Sequence, residues 1–150
     1  MSENRSTKRA KKKKLRRACE NIATFGLLLV CAAMVSPFAT GANPEWMKVF
    51  CWVYAAGAVI YTVARMVDVS DPDESVRLRR LRRMEFWAGI AFCIASGFWF
   101  YTASRLGEGA GVLALMRNTV VFTIVGAAIQ TIASWMIVSR MKKEGISDRG

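Results

Sequence analysis

Residues 118–138 read NTVVFTIVGAAIQTIASWMIV, a run without a single charge. That length is close to the ~20 apolar residues a helix needs to cross about 30 Å of hydrocarbon. Working outward from it, residues 22–39, 46–64 and 86–103 are similarly apolar and nearly as long. A surface helix of a soluble domain carries one apolar stripe, whereas these segments are apolar on every face. Lipid supplies no hydrogen bonds to the backbone, so each segment is expected to be a helix that satisfies its own peptide groups. The expected fold is therefore all-α: a polytopic membrane protein whose residues 22–138 form a bundle of four transmembrane helices.

The charges agree with that reading. A hydrophobic fraction of 53% sits beside a net charge of +11, and segregation reconciles the two. Residues 1–21 hold nine Lys and Arg, the connection between the second and third spans six, and residues 139–150 four; only Lys48, Arg105 and Arg117 lie elsewhere. Under the positive-inside rule both termini and the middle connection are expected in the cytoplasm, with two short connections outside. The first span has an alternative reading as a cleaved signal peptide, with Thr40 and Ala42 before Asn43. Its apolar run, however, exceeds the usual signal core of about 7–15 residues.

The basic leader contains Lys11–Lys14 and Arg16–Arg17, a block expected to repel itself and remain disordered in water. Beside an anionic leaflet it would lie on headgroups. In the first outer connection, with Pro37, Gly41 and Asn43, Asn43 is placed to cap the second helix and Pro44 to begin it. Interfacial aromatics are expected at Trp46, at Trp87, at Trp99–Tyr101 and at Trp135. In the second connection, Ser70–Glu74 reads as a helix start. The run Val76–Met84 follows without a breaker, predicting an Arg-rich cytoplasmic helix over 72–85 that leads directly into the third span. Leu78, Leu81 and Met84 form its apolar stripe, with Arg79, Arg80, Arg82 and Arg83 fanning out around the rest, and Asp73 pairs with Arg77 one turn on. In the last connection, Gly107–Gly111 forms a turn. Val112–Met116 is then expected to form an interfacial turn of helix, with Arg117 near the outer headgroups; a longer, tilted fourth span with a snorkelling Arg117 is the alternative.

Within the spans, small and polar residues recur at helical spacing: Cys51, Ala55, Ala58 and Thr62 leading to Arg65; Gly89, Cys93 and Gly97; and Thr119, Thr123, Ala127, Gln130 and Ser134. Such faces let helices approach closely in lipid. Gln130 reads as the one strongly polar side chain near a midplane, with every carboxylate in a loop, tail or helix end. Its expected role is an inter-helical hydrogen bond, with Ser96 at a similar depth; Thr123 is the third intramembrane polar candidate. The four cysteines read as small apolar residues, with Cys31 and Cys51 at similar depths. With no His and no CxxC pair, neither a metal nor a cofactor is expected.

The segments Tyr54-Ala-Ala-Gly57-Ala58, Leu78-Arg-Arg-Leu-Arg-Arg83 and Ala127-Ala-Ile-Gln130 resemble an uncharacterised family of small four-helix inner-membrane proteins from anaerobic Gram-negative bacteria. The resemblance implies a bacterial inner-membrane location and points to the Arg-rich element and Gln130 without giving either a role. The residues themselves lead to a non-enzymatic accessory or scaffold protein. Its Arg77, Arg79, Arg80, Arg82 and Arg83 would bind anionic lipid or an acidic membrane-protein partner; nucleic acid or ribosome contact is the lesser reading of the same charge. The alternative is a small homo-oligomeric channel or transporter using the polar face of the fourth span.

Overall fold

The computed structural model describes residues 3–39, 43–68, 76–105 and 112–143. They form four α-helices: α1 (Glu3–Ala39), α2 (Pro44–Asp68), α3 (Val76–Ser104) and α4 (Val112–Lys143). Each contains a segment long and apolar enough to cross a membrane, within Lys14–Ala39, Glu45–Val67, Arg79–Ser104 and Met116–Arg140. Between 22% and 39% of each apolar segment is buried within the bundle. The remainder exposes side chains such as Phe25, Leu28, Trp52, Ile124 and Trp135, far more contiguous apolar surface than a water-soluble domain shows. The chain is an all-α protein with the architecture of a multi-pass membrane protein.

The helices run up and down, each packed on its neighbour in sequence. Trp52 meets Phe100 between α2 and α3, and Phe98 stacks on Phe122 between α3 and α4. Antiparallel order brings the starts of α1 and α3 and the ends of α2 and α4 to one end, called here the basic end. At α1–α2 the closest approach is made by two glycines. A Cβ on Gly26 would lie 2.8 Å from the Gly57 carbonyl oxygen, and one on Gly57 would lie 2.8 Å from that of Gly26. Any larger residue at either position would drive the two backbones apart.

Local chemistry accounts for the helix ends. The Asn43 side chain accepts a hydrogen bond from the Glu45 amide at 3.2 Å, and its carbonyl accepts from Met47 at 3.0 Å. Pro44 then opens α2 as expected of a first-turn proline. Pro37 lies inside α1 rather than in a connection. Proline lacks the amide that would bond the carbonyl four residues earlier, and the Ser36 hydroxyl takes that place by donating to the Ala33 carbonyl at 2.7 Å.

Several expectations are corrected. The basic leader is helical from Glu3 and continuous with the first span; Lys, Arg and Ala are strong helix formers, and nothing breaks the run. Val112–Met116 is part of α4, without a separate interfacial turn. Trp99 is not an interfacial anchor: it is fully buried, 5.3 Å from the Tyr54 ring. Trp46, Trp87, Tyr101 and Trp135 are exposed. Gly97 and Ala127 face outward, whereas Gly89 packs against Thr62. Cys51 is buried, Cys31 is exposed, and all four thiols are free. The Ser70–Glu74 helix start, Asp73, the Leu78 side chain and the Gly107–Gly111 turn lie outside the described residues.

Candidate functional site: a buried polar cluster beneath a basic rim

Two polar layers occupy the bundle interior. The deeper one pairs Tyr54 of α2 with Thr123 of α4, their hydroxyl oxygens 2.7 Å apart. Thr123 also donates to the Thr119 carbonyl at 2.7 Å, one turn earlier, leaving Tyr54 as donor to Thr123.

The second layer lies two turns closer to the basic end and joins three helices. Tyr61 and Arg65 stand one turn apart on α2, in register with Tyr54 and Ala58; the first three of this stripe, Tyr54, Ala58 and Tyr61, are buried, and Arg65 at its end is partly exposed. Glu85 projects from α3 and is 3% exposed. Gln130 and Ser134 are one turn apart on α4. Arg65 Nη1 donates to Glu85 Oε2 at 3.0 Å, and Ser134 Oγ donates to Glu85 Oε1 at 3.0 Å. Gln130 Nε2 donates to Ser134 Oγ at 3.1 Å, while Gln130 Oε1 accepts from the Tyr61 hydroxyl. The Arg65 guanidinium closes the arrangement over the Tyr61 ring, 5.6 Å from its centroid. Each Glu85 oxygen thus has a donor, and one donor is a cation.

Burying such a pair carries a desolvation cost of several kcal/mol per ion. The attraction at this distance is on the order of 4–6 kcal/mol at the effective dielectric of a protein. The terms nearly cancel, so the cluster is a weak source of net stability. Its physical consequence is register: with Arg65, Glu85 and Ser134 at one level, sliding α2 or α3 by a turn would part the two charges, and sliding α4 would take a donor from Glu85.

The structure places the expected site residues as follows. Gln130 is buried and bonds between helices. Ser96 is also buried, but not at Gln130's depth. The pairings of Glu85 with Ser134, Phe92 with Gly126 and Phe98 with Phe122 set Ser96 level with Thr123. Arg77, Arg79, Arg80 and Arg83 are exposed, but Arg82 is not, at 4%. Helical periodicity explains the difference: Leu81, Arg82, Glu85, Ala88 and Phe92 share the inward face of α3. The expectation that Arg82 fans outward with its neighbours is thus corrected. Above the cluster, exposed Lys11, Lys14 and Arg17 of α1 and Arg140 and Lys142 of α4 occupy the same end as the α3 arginines.

Glu85 and the two tyrosines were not anticipated. Glu85 lies one residue before the apolar run that begins at Phe86, where it reads as a helix-end carboxylate; it is instead well inside a helix that starts at Val76. A signal for the tyrosines was present, since Tyr54, Ala58, Tyr61 and Arg65 recur at i, i+4, i+7 and i+11. Compared with known proteins, the chain matches no protein-family model, no curated protein and no solved structure.

Proposed function

We propose that the protein is a non-enzymatic accessory or scaffold protein of a bacterial inner membrane, with both termini in the cytoplasm. The rim formed by Arg77, Arg79, Arg80 and Arg83 binds anionic lipid headgroups. The observation that carries this reading is the convergence of exposed basic side chains from α1, α3 and α4 on one end of the bundle. Near an anionic leaflet each is worth about 1 kcal/mol, and guanidinium groups fit phosphate oxygens in pairs. An acidic segment of a partner protein offers the same carboxylate or phosphate chemistry. The inner-membrane assignment rests on the resemblance and on the nineteen-to-three division of basic residues.

Two features weigh against the other classes. Glu85, the one buried carboxylate among the described residues, is engaged by Arg65 and Ser134 and is no free base. Gln130 and Thr123 bond to Tyr61 and Tyr54 in the interior, so the polar face that several copies would need to line a pore is turned away from neighbouring copies.

The test is lipid selectivity. Reconstituted protein should prefer spin-labelled phosphatidylglycerol over phosphatidylcholine at low salt. Changing Arg79, Arg80 and Arg83 to Gln should remove most of that preference, and the difference should fade as salt shortens the Debye length from about 10 Å to about 3 Å. Unchanged selectivity at low salt would eliminate the lipid reading, leaving capture of an acidic protein as the remaining role for the rim.

A further inference from the structure

At the end opposite the basic rim, the outward face of α3 carries an apolar groove lined by Ile94, Gly97, Phe98 and Tyr101. These residues follow one another at helical spacing, so the groove runs along the helix. Its floor is Gly97. Gly26, Gly57, Gly89 and Gly126 each sit where an added Cβ would come within 3 Å of a neighbouring helix, but a Cβ on Gly97 would meet nothing within 4 Å. Close helix packing inside the bundle therefore accounts for those four glycines and leaves Gly97 unexplained. One wall is held in place, because Phe98 stacks on Phe122 of α4 with ring centroids 5.3 Å apart. One turn beyond Tyr101 stands Arg105, whose guanidinium lies over the exposed Tyr101 ring, 5.6 Å from its centroid.

We infer that this groove seats one acyl chain of a phospholipid whose phosphate is held by Arg105. The dimensions match: Ile94 to Ser104 spans about 15 Å at the α-helical rise, half of the ~30 Å hydrocarbon core. A chain lying along Gly97 would therefore reach from near the bilayer midplane to the headgroup level. Tyr101 is an interfacial aromatic at that level, and an arginine there can swing its planar donors onto a phosphate while its stem stays on the ring. Charge complementarity favours a lipid over a second copy of the chain. Two copies related by a two-fold axis along the membrane normal would meet through the same face, setting Arg105 against Arg105. This site is separate from the Arg79–Arg83 rim, at the other end of α3.

The experiment is native mass spectrometry of the detergent-purified full chain titrated with palmitoyl-oleoyl phosphatidylglycerol. Gly97→Leu fills open space, so its melting temperature should match that of the wild type. Its occupancy of the tightest lipid on this face should fall about fivefold or more. Arg105→Gln should lower the same occupancy about fivefold, and the double variant should lose about the product of the two, because separate contacts to one lipid add in free energy. Changing Arg79, Arg80 and Arg83 to Gln should leave this lipid in place, which separates the result from that of the basic rim. Unchanged occupancy in Gly97→Leu would overturn the site. A shift from dimer to monomer in Gly97→Leu, with lipid per chain constant, would do the same by assigning the groove to a second copy. Loss in Gly97→Leu with Arg105→Gln silent would overturn the phosphate assignment.

Discussion

Glu85 accepts hydrogen bonds from Arg65 and Ser134, which come from different helices, so its removal should be felt across the bundle. Glu85→Leu leaves Arg65 without its carboxylate. Breaking a buried pair costs about 3–5 kcal/mol; the Arg65 side chain keeps 16% exposure and can lean toward the end of the bundle, so the lower part of that range is expected. Adding Arg65→Met to Glu85→Leu should restore most of the loss, because an apolar replacement of both partners removes the desolvation cost. A double-mutant cycle read by unfolding in mixed micelles checks this, and additive losses would contradict it. Gln130→Leu removes the Tyr61 and Ser134 bonds together. Inter-helical bonds in membranes are worth about 0.6–2 kcal/mol, and Tyr61 keeps the Glu85 carbonyl at 3.4 Å as a partner. The expected loss is therefore about 0.6–2 kcal/mol in the same assay, with no change in ion permeability of reconstituted liposomes. If Gln130→Leu instead abolished a measurable flux at unchanged stability, the interior would have to be read as a conduction path.

Among the helices, the contrast between Gly57 and Gly97 gives the sharpest prediction. Gly57→Val places atoms against the α1 backbone, where overpacking costs about 1–3 kcal/mol. Gly97→Ala meets nothing and removes a flexible residue from a helix interior, so it should be neutral or stabilising by about 0.5–1 kcal/mol. Equal losses in both would contradict the packing described. The same contrast indicates what could be read from the chain beforehand. The four spans and the Asn43–Pro44 start of α2 were legible because length, apolarity and capping chemistry are local properties. The facing of Gly89 and Gln130 followed from small-residue spacing. Gly97 belongs to the same i, i+4 series as Gly89 and Cys93, yet it faces outward. Sequence spacing marks a stripe but not where that stripe leaves its neighbour as the helices cross. Arg82 and Glu85 were missed for a related reason. Their charge marked them as solvent-facing; for Glu85, the neighbouring helices α2 and α4 bring Arg65 and Ser134 to its level and so offset its burial, while Arg82 follows the helical period onto the same inward face.

For the whole molecule, the separation of apolar and basic surface carries the account. Four helices expose most of their apolar length, and the exposed basic side chains of α1, α3 and α4 gather at one end. That pattern suits a chain held across a bilayer with its basic end at the cytoplasmic face, where each basic residue is retained by the positive-inside bias and attracted by anionic lipid. The most direct test is a set of reporter fusions ending after Thr40, Ser75, Glu108 and Lys143, scored for cytoplasmic or exterior activity in a bacterial host. The account predicts cytoplasmic signals at Ser75 and Lys143 and exterior signals at Thr40 and Glu108. An exterior signal at Ser75 would place the Arg79–Arg83 rim on the wrong side of the membrane and contradict the account.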